Sequence, residues 1–103
     1  MSVIMTMRLS GDAKKMEEVA AQNTDTLRSI TEKAKARGLI AHRFYGSDDQ
    51  IMVIDEWPDA ESFQAFFEEA GPEIGPIMQE VGAGEPEVTF WHKLETHDDV
   101  GWE

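Results

Sequence analysis

The chain has 103 residues, no cysteine, 41% hydrophobic residues and a net charge of −12 from 21 acidic against 9 basic side chains. That is enough chain for one domain, with no disulfide, thiolate nucleophile or cysteine-ligated metal centre. The acidity opposes sustained contact with nucleic-acid phosphates or anionic lipid. No apolar run approaches the roughly 20 residues of a membrane span or follows the order of a secretory leader, so a cytoplasmic protein is expected.

Val3, Met5, Met7 and Leu9 alternate with Ser2, Ile4, Thr6 and Arg8, which predicts a strand over 2–9 with one apolar face. Ser10-Gly11-Asp12 ends it, and Asp12 is placed to cap a helix. From Ala13 to Arg37 the apolar spacing becomes three or four, through Met16, Val19, Ala20, Asn23, Leu27, Ile30 and Ala34. One long helix over 13–37 is predicted, with cations in its last turn and Gly38 as its left-handed cap. Strands follow over 39–45 and 51–57, joined by a short loop, Gly46 to Gln50. Asp59 caps a helix carrying Phe63, Phe66, Phe67 and Ala70. Gly71-Pro72 interrupts the pattern, so a second, short helix carries Ile74, Ile77, Met78 and Val81. Gly82-Ala83-Gly84 closes it, and 87–94 reads as the fourth strand, with Val88, Phe90, His92 and Leu94 on one face and Thr89, Trp91 and Lys93 on the other. The domain is expected over 1–95 and a polar tail over 96–103.

Pairing Tyr45 with Ile51 sets a register for the middle hairpin. His42 and Phe44 then share a face with Ile54 and Glu56, while Arg43 and Tyr45 share the other with Asp55 and Trp57, and Arg43 is close enough to Asp55 for an ion pair. The order is βαββαβ, an α+β arrangement with a four-stranded antiparallel sheet. Two helices cover one face of such a sheet. The other, carrying Tyr45, Trp57 and Trp91, is left bare, and large apolar groups on a bare face mark an interface. A second copy packed sheet to sheet would cover it.

The Ser10-Gly11-Asp12 break, Arg37-Gly38-Leu39-Ile40, and Asp55-Glu56-Trp57 followed by Asp59-Ala60-Glu61-Ser62-Phe63 resemble the dimeric α/β-barrel proteins, in particular the antibiotic biosynthesis monooxygenase-like branch, over about residues 2–95. The resemblance implies a ferredoxin-like subunit that pairs into an α/β barrel as a homodimer, with a pocket between sheet and helices. It also implies a function among cofactor-independent quinone-forming oxygenases, heme degraders or relatives of unknown role. The heme degraders carry an iron-binding histidine in the second helical region. Residues 63–81 contain none, and Phe66 stands where those enzymes have tryptophan, so the resemblance does not extend to heme chemistry.

Among the residues themselves, His42 is the candidate acid–base group, with Glu56 as its expected partner. Phe44, Ile54, Glu56, Phe63 and Phe67 are the expected pocket walls, and Tyr45, Trp57 and Trp91 the expected dimer interface. No cofactor or metal is expected. His92 and His97, with Asp98 and Asp99 following, have no helix to orient them as ligands. Two functions fit this pattern: a cofactor-independent oxygenase acting on an aromatic or polyketide-like molecule, or a non-catalytic ligand-binding or dimeric assembly module. A cavity of a few hundred Å³ holding His42 and a second polar group favours the enzyme, and a filled core favours the module.

Overall fold

The computed structural model describes residues 1–102. The elements are β1 (Val3–Ser10), α1 (Ala13–Gln22), α2 (Thr24–Ala36), β2 (Ala41–Ser47), β3 (Gln50–Trp57), α3 (Ala60–Val81) and β4 (Glu87–Trp91). The four strands form one antiparallel sheet in the order β2-β3-β1-β4, the ferredoxin-like α+β arrangement. Tail residues 96–102 lie outside these elements, and Glu103 lies outside the described residues.

The alternation of β1 buries Met5, Met7 and Leu9 beneath the helices and turns Ile4, Thr6 and Arg8 outward. On β3, Ile51, Val53, Asp55 and Trp57 point inward. The helices contribute Met16 and Val19 from α1, Ala34 from α2, and Phe63, Phe66, Ala70, Ile77 and Val81 from α3. Trp57 is fully buried at the centre of an aromatic cluster, with ring centroids 5.8 Å from Phe63 and 5.5 Å from Phe66. Trp57 therefore belongs to its own subunit's core and not to the bare face expected from sequence.

The single helix expected over 13–37 is two. Asn23 lies between them with φ −130° and ψ 38°, and its Nδ2 donates to Val19 O at 2.8 Å. A short amide side chain that bonds the preceding turn competes with the helical ladder, and here it breaks an otherwise continuous stripe. The opposite departure occurs in α3. Gly71-Pro72 does not divide it, and the helix runs on through both Pro72 and Pro76. Gly38 caps α2 with φ 107°, and a Cβ there would come within 3.0 Å of Pro58, so both conformation and space favour glycine.

The middle hairpin is tighter than expected. Only Asp48 and Asp49 connect the strands, and Tyr45 pairs with Met52 rather than Ile51. A slip of one residue exchanges the faces of a strand relative to its partner. The fourth strand stops at Trp91, short of the expected end at 94.

Asp59 caps α3, its Oδ1 accepting from Ser62 N at 2.8 Å, and the bonds from Ser62 hold its carboxyl below the usual carboxylate range. A depressed folded value means stability present at neutral pH and lost as pH falls through that value. Asp59→Ala is expected to lower the melting temperature at neutral pH, and the gap from wild type should close in acid. Melts across pH that keep a constant gap would remove the cap's electrostatic role.

Candidate functional site: an apolar pocket with an oriented histidine

The corrected register sets the site. His42 on β2 lies directly opposite Asp55 on β3, and Asp55 lies opposite Met5 on β1, all on the face under the helices. His42 Nδ1 is 2.7 Å from Asp55 Oδ1, and Asp55 Oδ2 accepts from Trp57 Nε1 at 3.0 Å. The Asp55 side chain is 6% exposed and that of His42 35%. Among the described residues, Asp55 is the one buried charged residue. Burying a carboxylate costs several kcal/mol unless it is paired, and here both oxygens have donors.

A carboxylate only accepts hydrogen bonds, so Nδ1 of His42 carries the hydrogen and Nε2 is the acceptor of the neutral ring. The His42 ring also meets Phe44 edge-on, at 5.3 Å and 87°. The imidazole is thus fixed on one side by a carboxylate and on the other by an aromatic wall.

His42 and Asp55 line a cavity of about 90 Å³ between the sheet and the helices. Met5, Met7 and Val53 form its floor, and Leu27, Ile30 and Ala34 of α2 one wall. The other wall is α3, through Phe63, Phe66 and Phe67 and then Ile74, Ile77 and Met78. Among the described residues, the polar lining consists of Thr31, His42 and Asp55, and the Thr31 hydroxyl is turned back to Leu27 O at 2.9 Å. Such a space suits a largely apolar, uncharged molecule with one group that interacts with the imidazole.

Of the residues expected at the pocket, His42, Phe44, Phe63 and Phe67 do line it. Ile54 and Glu56 do not. Both lie on the opposite face, where Ile54 opposes Thr6 and Arg43, and Glu56 accepts from the Ser2 hydroxyl. The one-residue register error put them on the wrong side, and with them the expected His42–Glu56 pairing. It also gave Asp55 to Arg43. Arg43 instead donates to the Tyr45 hydroxyl at 3.1 Å and lies over that ring. Asp55 is the residue that sequence reasoning missed. The available signal was a carboxylate at an apolar strand's inward position, between Val53 and Trp57.

Tyr45 and Trp91 are on the bare face, 45% and 54% exposed. Trp91 Nε1 donates to the Thr6 hydroxyl at 2.8 Å. Ile4, Met52 and Ile54 share this face, and its charges balance: Arg8 and Arg43 against Glu56 and Glu87. Among the described residues no group of three histidine or acidic side chains is arranged to hold a metal ion, and no helix is long and apolar enough to cross a membrane.

No protein-family model matches the chain, and no curated protein does. Solved structures match it closely in shape. A monooxygenase from the gene ActVA-Orf6 of Streptomyces coelicolor, solved with nanaomycin D, superposes with a TM-score of 0.70 at 11% identity, covering 96% of this chain and 93% of that one. SnoaB, a cofactor-independent oxygenase from Streptomyces nogalater, gives 0.61 at 17% identity, over 95% and 98%. A dimeric ferredoxin-like protein from an uncultured marine organism gives 0.68 at 12% identity, over 96% and 93%. At these identities the likeness is one of fold, and this chain has the ferredoxin-like fold of the antibiotic biosynthesis monooxygenase-like proteins.

Proposed function

We propose that this is a monooxygenase-like protein that works without a cofactor, and that His42, oriented by Asp55, is its base toward a weakly acidic aromatic or polyketide-like molecule held in the apolar pocket. The observation that carries the reading is a buried carboxylate committed to a histidine at the edge of an otherwise greasy cavity. That combination orients one proton acceptor against an apolar surface. Two of the similar structures are an oxygenase and a monooxygenase by name, which adds weight to oxygen chemistry over other uses of such a base.

The chemistry balances, because a substrate methylene and one molecule of O2 give a carbonyl and one molecule of water. Nε2 of His42 takes a proton from the substrate, leaving an electron-rich carbanion or its phenolate form. That anion gives one electron to O2, and the radical pair combines to form a C–O bond. The peroxide takes the proton back from the imidazolium. Loss of the remaining C–H proton and of hydroxide leaves the carbonyl and water. Asp55 steadies the imidazolium while it exists.

The test is oxygen uptake with a panel of hydroxylated aromatic precursors. Wild type is expected to consume O2 with at least one, and His42→Ala to lose about a hundredfold or more in rate. Equal uptake by the variant, or none by wild type, would defeat the catalytic assignment. The modest cavity, about 90 Å³, supports the second reading, a non-catalytic ligand-binding or assembly module. Binding of a panel member by wild type with no oxygen consumed would favour it.

We further infer that a second copy of the chain covers the bare face. The face presents Ile4, Tyr45 and Trp91 to solvent. It is also electrically neutral on a chain of net charge −12, so two copies meet there without the repulsion that the rest of the surface would cause.

A further inference from the structure

The cavity is too small to enclose a ring system. An engineered protein cavity that holds one benzene ring measures about 150 Å³, against about 90 Å³ here. For a ring system to be enclosed beside His42, one wall must move.

The wall with the means to do so is α3. Pro72 and Pro76 lack the amide hydrogens that would bond the carbonyls of Glu68 and Pro72, so two rungs of the helix ladder are missing within one turn. Each proline follows a glycine. A residue before proline is crowded out of the helical region, largely through its Cβ, and Gly71 and Gly75 have none. Both prolines face solvent. The break, residues 71–76, falls within the pocket wall, with Phe63, Phe66 and Phe67 before it, Ile74 inside it, and Ile77 and Met78 after it. Two polar bridges join α3 to α2 here. Arg37 Nε donates to Glu69 Oε1 at 3.2 Å before the break, and Lys33 pairs with Glu73 between its two Gly-Pro pairs.

We infer that residues 77–81 form a hinged wall that swings on the Gly71-Pro72 and Gly75-Pro76 pairs to enlarge the pocket for a ligand, with Lys33–Glu73 as the latch of the hinge. The inference rests on the pocket reading above. Fewer main-chain bonds hold the hinge than an unbroken helix would have, and Ile77 and Met78 beyond it face the pocket, so movement there changes the pocket's volume.

The probe is 1-naphthol, followed by Trp57 fluorescence in a W91F/W102F background, where Trp57 is the remaining tryptophan. The straightened variant G71A/P72A/G75A/P76A restores both amides. Methyl groups at 71 and 75 meet nothing within 4 Å, so the change fits the folded state. It is expected to bind 1-naphthol about tenfold more slowly and more weakly, while E73Q binds it about threefold faster. Amide exchange supplies a measure without ligand: protection over 77–81 should rise about tenfold or more in the straightened variant. Straightening that raises protection but leaves the association rate unchanged would overturn the hinge alone. Unchanged protection would overturn it as well. Absence of 1-naphthol binding by the parent protein would overturn the pocket reading and the hinge with it.

Discussion

Replacing Asp55 by Asn is expected to leave a folded protein and to cost about a hundredfold in turnover. The carboxylate makes two contacts, to His42 Nδ1 at 2.7 Å and from Trp57 Nε1 at 3.0 Å. An amide of the same shape keeps one oxygen as acceptor. If that oxygen stays on Trp57, the amide NH2 faces His42 Nδ1, and two donors meet unless the ring changes tautomer. The change that relieves the clash puts the hydrogen on Nε2, which disarms the group proposed as base. If the amide turns over instead, the indole N–H loses its partner inside the core, at about 1–3 kcal/mol. Either way the variant loses something wild type has, and the two outcomes separate in measurement. Long-range 15N NMR should show the hydrogen of His42 on Nδ1 in wild type and on Nε2 in the variant. A thermal melt reports the alternative. Unchanged tautomer, stability and turnover together would show that Asp55 does not orient His42.

The same residue marks the limit of what the sequence disclosed. The period-2 stripe of β1, the capping aspartates at 12 and 59 and the glycine at 38 each act locally, and each is where local chemistry puts it. The hairpin between β2 and β3 depends on a balance that is not local. Both a five-residue loop and a two-residue Asp48-Asp49 turn suit the sequence, and they differ by one residue of register. Every assignment of a side chain to pocket or bare face inherits that choice. Hence Phe44, Phe63 and Phe67 came out at the pocket, whereas Ile54, Glu56 and Asp55 exchanged sides. Apolar content offered no correction, because β3 carries Met52 and Ile54 on one face and Ile51 and Val53 on the other. The helices erred in both directions for related reasons. Asn23 bonds its own backbone and stops a helix that the apolar stripe would continue. In α3, burial of Ile77 and Val81 holds together a helix that two prolines would stop.

That β3 is apolar on both faces also governs the remaining expected result. Ile54→Asp is expected to weaken self-association by about a hundredfold or more, equivalent to about 3 kcal/mol. Ile54 is central on the bare face, with Thr6 on one side and Arg43 on the other. In a sheet-to-sheet pair the substituted carboxylate would be stripped of water at that centre, with Arg43 directly beside it. Arg43 is already engaged with Tyr45. In an isolated subunit the same carboxylate faces solvent and costs little, so the monomer should stay folded and keep its Asp55–His42 pair. Light scattering after size exclusion reads the assembly, and circular dichroism reads the fold. Glu18→Lys, on the exposed side of α1, is the control and should leave the assembly unchanged. Wild type running as a stable monomer at micromolar concentration would refute the pairing outright. A dimer indifferent to Ile54→Asp would move the interface elsewhere, leaving Ile4, Tyr45 and Trp91 without a cover. The charge balance of the face makes the test sharp, because Arg8 and Arg43 already match Glu56 and Glu87. One added carboxylate per subunit therefore brings two unmatched charges together across the pair.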